Sequence, residues 1–395
     1  MGDAQSVHVR VRAAALQMLG YRVTLITPRK GEVVACPQVS PEDCLVSAGL
    51  WGKLGTRLAK LRAVHTIFAR YRGDATHIHF AQGLWAGLGM LFGAKPLIVT
   101  VMGGDVLFRE QGRSSWADRM LTRLMLRSAE LVTAKSEHLA SVIRSLGVHN
   151  DRILVMYWGV DRQHFKPSQG GEMRRALGLA PDSFVLLSSR FLQPLYNVDK
   201  IVEAFPLILR RVGHAQLLIL DCQAEPNYRM AIIRRISELR LEGKVRIVPP
   251  VPHERMPEIY AASDVVIGVP SSDGMPMTVL EAMACGKPNV VSDLPHYQEL
   301  LTNGKNVLVC PPLSASIAEA VCQLASEPEL QARLVENGFR TVEQRADLAK
   351  DLVRLDERLT PLLDGRPRMQ PIHVRLQVAA LLALAALTQR PGPSL

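Results

Sequence analysis

Short apolar runs alternate along this chain with longer stretches whose apolar residues recur at helical spacing. In the first half a helical stretch, Ser6 to Leu19, closes at Gly20, and Tyr21 to Thr27 follows as a β-rich strand. A long basic helix is expected over Leu50 to Arg72, then strands at Thr76 to Phe80 and Leu97 to Val101. A helix from Trp116 to Arg127, a strand Glu130 to Ala134 and a helix Glu137 to Leu146 complete that half. Strands that alternate with helices predict a parallel sheet wrapped on both faces.

The alternation breaks at Met156 to Gly171, where turn-forming residues cluster, and we place a domain boundary there. It then restarts with strand Phe184 to Ser189, helix Asp199 to Arg211, strand Gln216 to Asp221, helix Tyr228 to Leu241 and strand Val245 to Val248. The expected organisation is α/β, with residues 1–160 and 161–345 as two Rossmann-like domains facing each other across a cleft. A helical C-terminal tail, 346–395, follows. The start is unusual. Gly2 to Ser6 read as the loop that follows a first buried strand, so the first strand of the N-terminal domain is apparently missing. A misplaced start explains this better than a domain lacking a central strand, which would leave buried backbone groups unpaired.

Composition narrows the picture modestly. Hydrophobic content of 48% with 21% charged residues suits a globular protein, and 395 residues suffice for two cores. A net charge of +10 favours anionic partners such as a membrane surface or an acidic glycan. Only 5% of residues are aromatic and no RNP-type pattern occurs, so nucleic acid is not expected as a partner. The six cysteines lack CxxC spacing, which points to a reducing, cytoplasmic setting without zinc or disulfides. No signal peptide is visible, and the apolar run Val378 to Leu387 falls short of the about 20 residues a bilayer requires.

Chemistry concentrates between Asp264 and Ser292. A hydrophobic strand, Asp264 to Pro270, enters a small-residue loop holding Asp273; a helix carrying Glu281 follows, stopped by Gly286 and Pro288 before strand Asn289 to Ser292. Two carboxylates thus straddle a helix N-terminus at the carboxyl end of a strand, where open α/β sheets bind ligands. Carboxylates suit sugar hydroxyls and a helix N-terminus suits phosphate, so the segment describes a nucleotide-sugar pocket.

The run Asp273 to Pro288 resembles the Glu-x7-Glu…Ala-Met-Ala-x-Gly-x-Pro signature of the retaining glycosyltransferases of family 4, which adopt the GT-B fold, with Asp in place of the first Glu. Arg152 to Phe165 is similar to the family's linker, Ser188 to Phe205 to its phosphate-loop region, and Tyr260 to Ser271 to the stretch before the signature. Gly2 to Thr27, Thr76 to Val106 and Ser128 to Ser136 are weaker matches to early strands and loops.

The resemblance implies that Glu281 holds the donor ribose, that Asp273 contacts the donor sugar, and that Arg190 binds the diphosphate without a metal. Gly274, Met275, Pro276 and Met277 would bring backbone close to the donor, and Glu299 would add an acid near the sugar. A Lys that the family usually carries after the Arg is absent, with Lys200 lying farther along the helix. Met102 replaces a frequent His, which leaves His79 and Asp105 as candidates at the reaction centre; Gly2 to Ser6 and His8 would lie over the acceptor. Bland alternatives exist for each: a solvated helix Glu, a capping Asp, a salt-bridged surface Arg, a structural strand His.

The implied activity is transfer of a sugar, with retention, from a UDP- or GDP-linked donor to a hydroxyl of a glycan or lipid-linked acceptor, with no cofactor besides the donor and no metal. The basic stretch Trp51 to Arg72 would let the protein sit peripherally on the inner face of an anionic membrane, although a helix packing its apolar face on the sheet explains the same pattern. Two rivals are a non-catalytic relative that only binds nucleotide sugar, and a GT-B sugar-nucleotide epimerase.

Overall fold

A computed structural model describes residues 7–27, 45–47, 65–66, 68–69, 73–108, 115–364 and 368–388. Two compact units emerge: Met1–Trp158 with Lys350–Leu395, and Gly159–Ala349.

In the first unit α1 (Val7–Met18) leads to β1 (Leu25–Thr27), which pairs in parallel with β2 (Leu45–Ser47). Next come β3 (Thr76–His79), α2 (Gly83–Phe92), β4 (Ala94–Lys95), β5 (Leu97–Thr100), α3 (Trp116–Ser128), β6 (Leu131–Ala134), α4 (Glu137–Ser145) and β7 (Ile153–Val155). Strands β3, β5, β6 and β7 form one parallel sheet in that order. Every residue of β5 and β6 is buried, which is why both read as continuous apolar runs and not as alternating ones. Local chemistry fixes the helix starts: Ser115 and Asp118 close a reciprocal capping box on α3, and Ser136 caps α4. Among the described residues β3 is an edge strand, and β1 pairs only with β2. Gly2 to Ser6, the preceding strand and nearly all of the basic stretch Trp51 to Arg72 lie outside the described residues. Within that stretch Phe68 is buried against the core, beside Phe92.

The second unit contains α5 (Gly171–Ala176), β8 (Phe184–Ser188), α6 (Val198–Arg211), β9 (Ala215–Leu220), α7 (Pro226–Glu238), β10 (Val245–Val248), α8 (Met256–Ala262), β11 (Val265–Gly268), α9 (Met277–Ala284), β12 (Asn289–Ser292), β13 (Leu308–Cys310), α10 (Ser314–Ser326) and α11 (Pro328–Arg345). Its six strands are all parallel, in the order β10-β9-β8-β11-β12-β13. The order in which strands are added reverses between β8 and β11, so their carboxyl ends border the crevice in which such sheets bind ligands. The core packs Leu186, Leu217, Ile219, Val265 and Ile267 of the sheet against Ile201, Phe205 and Ile208 of α6.

The helices beyond residue 346 are not a separate tail. Residues Lys350–Leu395 group with the first unit. Leu355 and Leu359 of α12 (Leu348–Leu363) pack with Leu16, Ile98, Leu131 and Leu154, while the strand Arg368–Met369 pairs antiparallel with β4. Val374, Val378 and Leu382 of α13 (Ile372–Thr388) join the core built on β3 and β5. Among the described residues no helix is long and apolar enough to cross a membrane.

Candidate functional site

The loops after β8 and β11 are stapled to each other. Asn197 sits in the left-handed region (φ 52°), a conformation Asn tolerates well, and its side-chain amide donates to the Val269 carbonyl at 2.8 Å and to Ser271 Oγ at 2.9 Å. The Ser271 N–H donates to the Leu195 carbonyl at 2.9 Å, and Ser292 Oγ, at the end of β12, to the Pro270 carbonyl at 2.6 Å. Three strand ends are thereby held in fixed relation.

Arg190 and Asp273 meet on that scaffold. One guanidinium nitrogen donates to Asp273 Oδ2 at 2.6 Å and another to Thr278 Oγ1, in the first turn of α9, at 3.1 Å. The Tyr297 hydroxyl donates to the same Asp273 oxygen at 2.8 Å, and Tyr196 lies under the guanidinium at 4.6 Å from its ring centre. Burial alone would lower the Arg190 pKa, but the charge of Asp273 with the Tyr297 and Tyr196 phenols outweighs it and raises it. Tyr297 is pushed well above the usual tyrosine range by burial and Asp273, so it acts as a donor. A buried ion pair of this kind roughly breaks even in stability, while removing one partner leaves a charge costing about 3–5 kcal/mol.

Helix α9 begins at Met277 with Pro276 as its N-cap and no side-chain cap, so Asp273 does not cap it. Pro276 carries no N–H; the first-turn N–H groups of Met277 and Thr278 have no intrahelical acceptor and supply the positive end of the helix dipole. The Gly274 N–H is turned inward onto Asp273 Oδ1 at 2.8 Å, and Met275 is buried. Of the four residues expected to line the donor, Gly274 thus turns its N–H onto Asp273 and Met277 opens the helix. The helix ends where the sequence requires, at Gly286 in the left-handed region (φ 73°).

Glu281 lies inside this unit, 6% exposed. The Tyr260 hydroxyl donates to Oε2 at 2.9 Å, and His253 Nε2 lies 2.8 Å from Oε1. Burial and Glu281 raise the Tyr260 pKa far above its ordinary value. Each carboxylate oxygen keeps a second lone pair, so Glu281 is oriented by two partners and still able to accept from two hydroxyls. Glu299 ends the short turn Pro295–Glu299, and its carbonyl accepts from Arg345. From that turn it is Tyr297 that reaches Asp273. Lys200 points to Asp199 and Glu203, both at 3.2 Å, and supplies no cation to Arg190 or Asp273.

His79 and Asp105 belong to the first unit. Asp105 is fully buried; one oxygen accepts from the Ala81 N–H at 2.7 Å, the other from Met102 and Gly103 at 3.0 and 2.9 Å. Its carboxylate ties the loop after β3 to the loop after β5, a structural task. Burial raises its pKa against those backbone bonds. His79 stacks on His77 at 4.2 Å, and its Nδ1 lies 3.3 Å from a guanidinium nitrogen of Arg12. His77 meets Thr100 Oγ1 at 2.8 Å, and burial, aided by the Arg12 charge, lowers its pKa well below the usual histidine range. His8 lies in α1, with its side chain outside the described residues.

Sequence reasoning missed Tyr297, His253 and Arg12. Tyr260 stood within a quoted motif without a task. No local pattern marks the other three, because each acquires its partner through the fold. Among the described residues no cluster of His, Cys, Asp and Glu has metal-site geometry.

Two family patterns match, end to end along the chain: Glycosyltransferase Family 4 over residues 5–164 and glycosyl transferases group 1 over 171–341. The D-inositol 3-phosphate glycosyltransferase of Nocardia farcinica (strain IFM 10152) is 28% identical over 230 residues, covering 57% of this chain and 50% of its own length. That of Pseudarthrobacter chlorophenolicus is 25% identical over 351 residues, 83% of each protein. The chain spans about half the length of the first curated relatives it matches. Among solved structures, Anabaena Alr3699/HepE in complex with UDP-glucose superposes with a TM-score of 0.76 at 18% identity, over 92% of this chain and 98% of that one. The sucrose-phosphate synthase of Thermosynechococcus elongatus gives 0.76 at 20% identity, over 92% and 97%. With two parallel Rossmann-like sheets, a signature run whose Asp273 lies beside Arg190, and both family patterns in sequence, this chain has the GT-B fold and belongs to the family 4 glycosyltransferases.

Proposed function

We propose that the protein transfers a sugar from a nucleoside-diphosphate donor to an acceptor hydroxyl with retention of configuration. The observation that carries this reading is Arg190, Asp273 and Thr278 gathered beside the open N-terminus of α9, at the point where the strand order reverses. The diphosphate takes the guanidinium and the first-turn N–H groups, whose fork and dipole match its oxygens. Its arrival draws Arg190 from Asp273 and frees that carboxylate for sugar hydroxyls, with Tyr297 holding it in place. Glu281, positioned by His253 and Tyr260, accepts from the ribose. As the glycosidic bond breaks, negative charge grows on the leaving diphosphate, where Arg190 and the helix end already stand; such preorganised donors carry most of the acceleration in comparable sites. The acceptor hydroxyl attacks from the face the diphosphate leaves and gives its proton to the departing phosphate oxygen.

The relatives named for D-inositol 3-phosphate make a phosphorylated polyol one acceptor to try alongside glycans and lipid-linked sugars. The test uses the full chain, a panel of UDP- and GDP-sugars and these acceptors, with release of nucleoside diphosphate as readout. Acceptor-dependent release that collapses in Arg190→Ala supports transfer. Donor binding without release from any pair would make the protein a binder, and a rearranged nucleotide sugar formed without acceptor would make it an epimerase.

A further inference from the structure

Arg12 is the anomaly of the first unit. It lies in α1 at 2% exposure, yet no carboxylate among the described residues forms an ion pair with it. One guanidinium nitrogen touches Met102 Sδ at 2.8 Å and His79 Nδ1 at 3.3 Å, and the group stacks over Trp158 at 4.9 Å. A thioether is a weak acceptor, and an imidazole nitrogen at that distance is a long one, against five N–H donors. Asp105, whose charge favours the Arg12 cation, spends its oxygens on three backbone N–H groups. Burial brings the Arg12 pKa down to about 9, so it remains a cation at neutral pH. His79 and Met102 stand at the carboxyl ends of β3 and β5, the end of a parallel sheet where ligands bind, and both are only half-buried.

We propose that Arg12, with His79 and Met102 at its mouth, is a binding site for an oxyanion, a phosphate or carboxylate group carried by the acceptor. A planar guanidinium fork matches either group bidentately, and its present contacts are the kind an oxyanion displaces. Assignment of the anion to an acceptor rests on the proposed transfer reaction; the oxyanion site itself does not.

Methionine methyl NMR on the full chain reads the site directly, because the Met102 sulfur touches Arg12. Inorganic phosphate and acetate are titrated separately at constant ionic strength set with chloride, and Met102→Leu assigns the resonance. The Met102 methyl should shift saturably with at least one anion, keep that response in Arg190→Ala, and lose it in Arg12→Met. Phosphate alone acting assigns a phosphate group, and acetate alone a carboxylate. The buried Met90 and Met125 methyls of the same core show whether Arg12→Met is folded; Arg12→Lys, which keeps the charge but not the fork, should respond more weakly. A silent Met102, or a response that survives Arg12→Met, overturns the site. Transfer activity and its loss in Arg190→Ala are read independently, so failure of the proposed reaction leaves a separate signature.

Discussion

Two buried arginines, each beside strand carboxyl ends of a parallel sheet, face opposite circumstances. Arg190 in the second unit has a carboxylate at 2.6 Å, a hydroxyl and a stacked phenol, and its pKa rises. Arg12 in the first has a thioether, an imidazole and an indole, and its pKa falls to about 9. The contrast teaches that burial does not set the fate of a cation; the partners brought to it do. One charge is balanced internally, and the other has no carboxylate paired with it among the described residues.

That contrast can be broken most sharply by removing each charge in turn. Arg190→Met strands Asp273 and should lower ligand-free stability by about 3–5 kcal/mol in denaturant unfolding. Arg12→Met removes an unbalanced buried charge and should leave stability unchanged or raise it by about 1–4 kcal/mol. The same sign for both substitutions would refute the distinction. Within the second unit, Glu281→Gln should weaken nucleotide-sugar binding roughly 10- to 100-fold by calorimetry, the loss expected for charge-assisted bonds of about 1.5–3 kcal/mol. Tyr297→Phe deletes one hydrogen bond to Asp273 and should cost about 1 kcal/mol, seen as reduced discrimination among donor sugars and little change in nucleotide affinity. The smallest effect comes from His77. Its folded pKa is depressed by burial, so the unfolded chain takes up its proton first as pH falls. Stability is therefore intact above about 6.5 and declines below it, by less than about 1 kcal/mol at pH 6. His77→Asn should flatten that decline in a pH series of thermal melts.

How much the sequence reveals differs between the units for a physical reason. In the second unit, β11, its loop and α9 are consecutive, and Gly286 stops the helix by its own backbone preference, so the strand, loop and helix around Asp273 and Glu281 are legible from local pattern. The motif also contained Tyr260, but not its task. Tyr297 and His253 reach Asp273 and Glu281 from separate loops, and no spacing announces that. Arg12 hid better still: an Arg within a helical stretch reads as a solvated charge until tertiary packing buries it. Asp105 shows the converse, since a lone acid after a strand looks unattached until three backbone N–H groups are seen to bind it.

The segment from Lys350 onward has a consequence for how the molecule is made. Val374, Val378 and Leu382 complete a core whose other members come from residues 68–153, on the far side of the entire second unit. On a ribosome the second unit, Gly159–Ala349, is continuous and free to fold once it emerges, whereas the first must wait for residues synthesised after the whole of the second. The unit that is started first is therefore the later of the two to finish folding. Its apolar faces on α2 and α3 stay uncovered throughout translation of the other unit, and a truncation within α13 would strike a core built from residues 68–153.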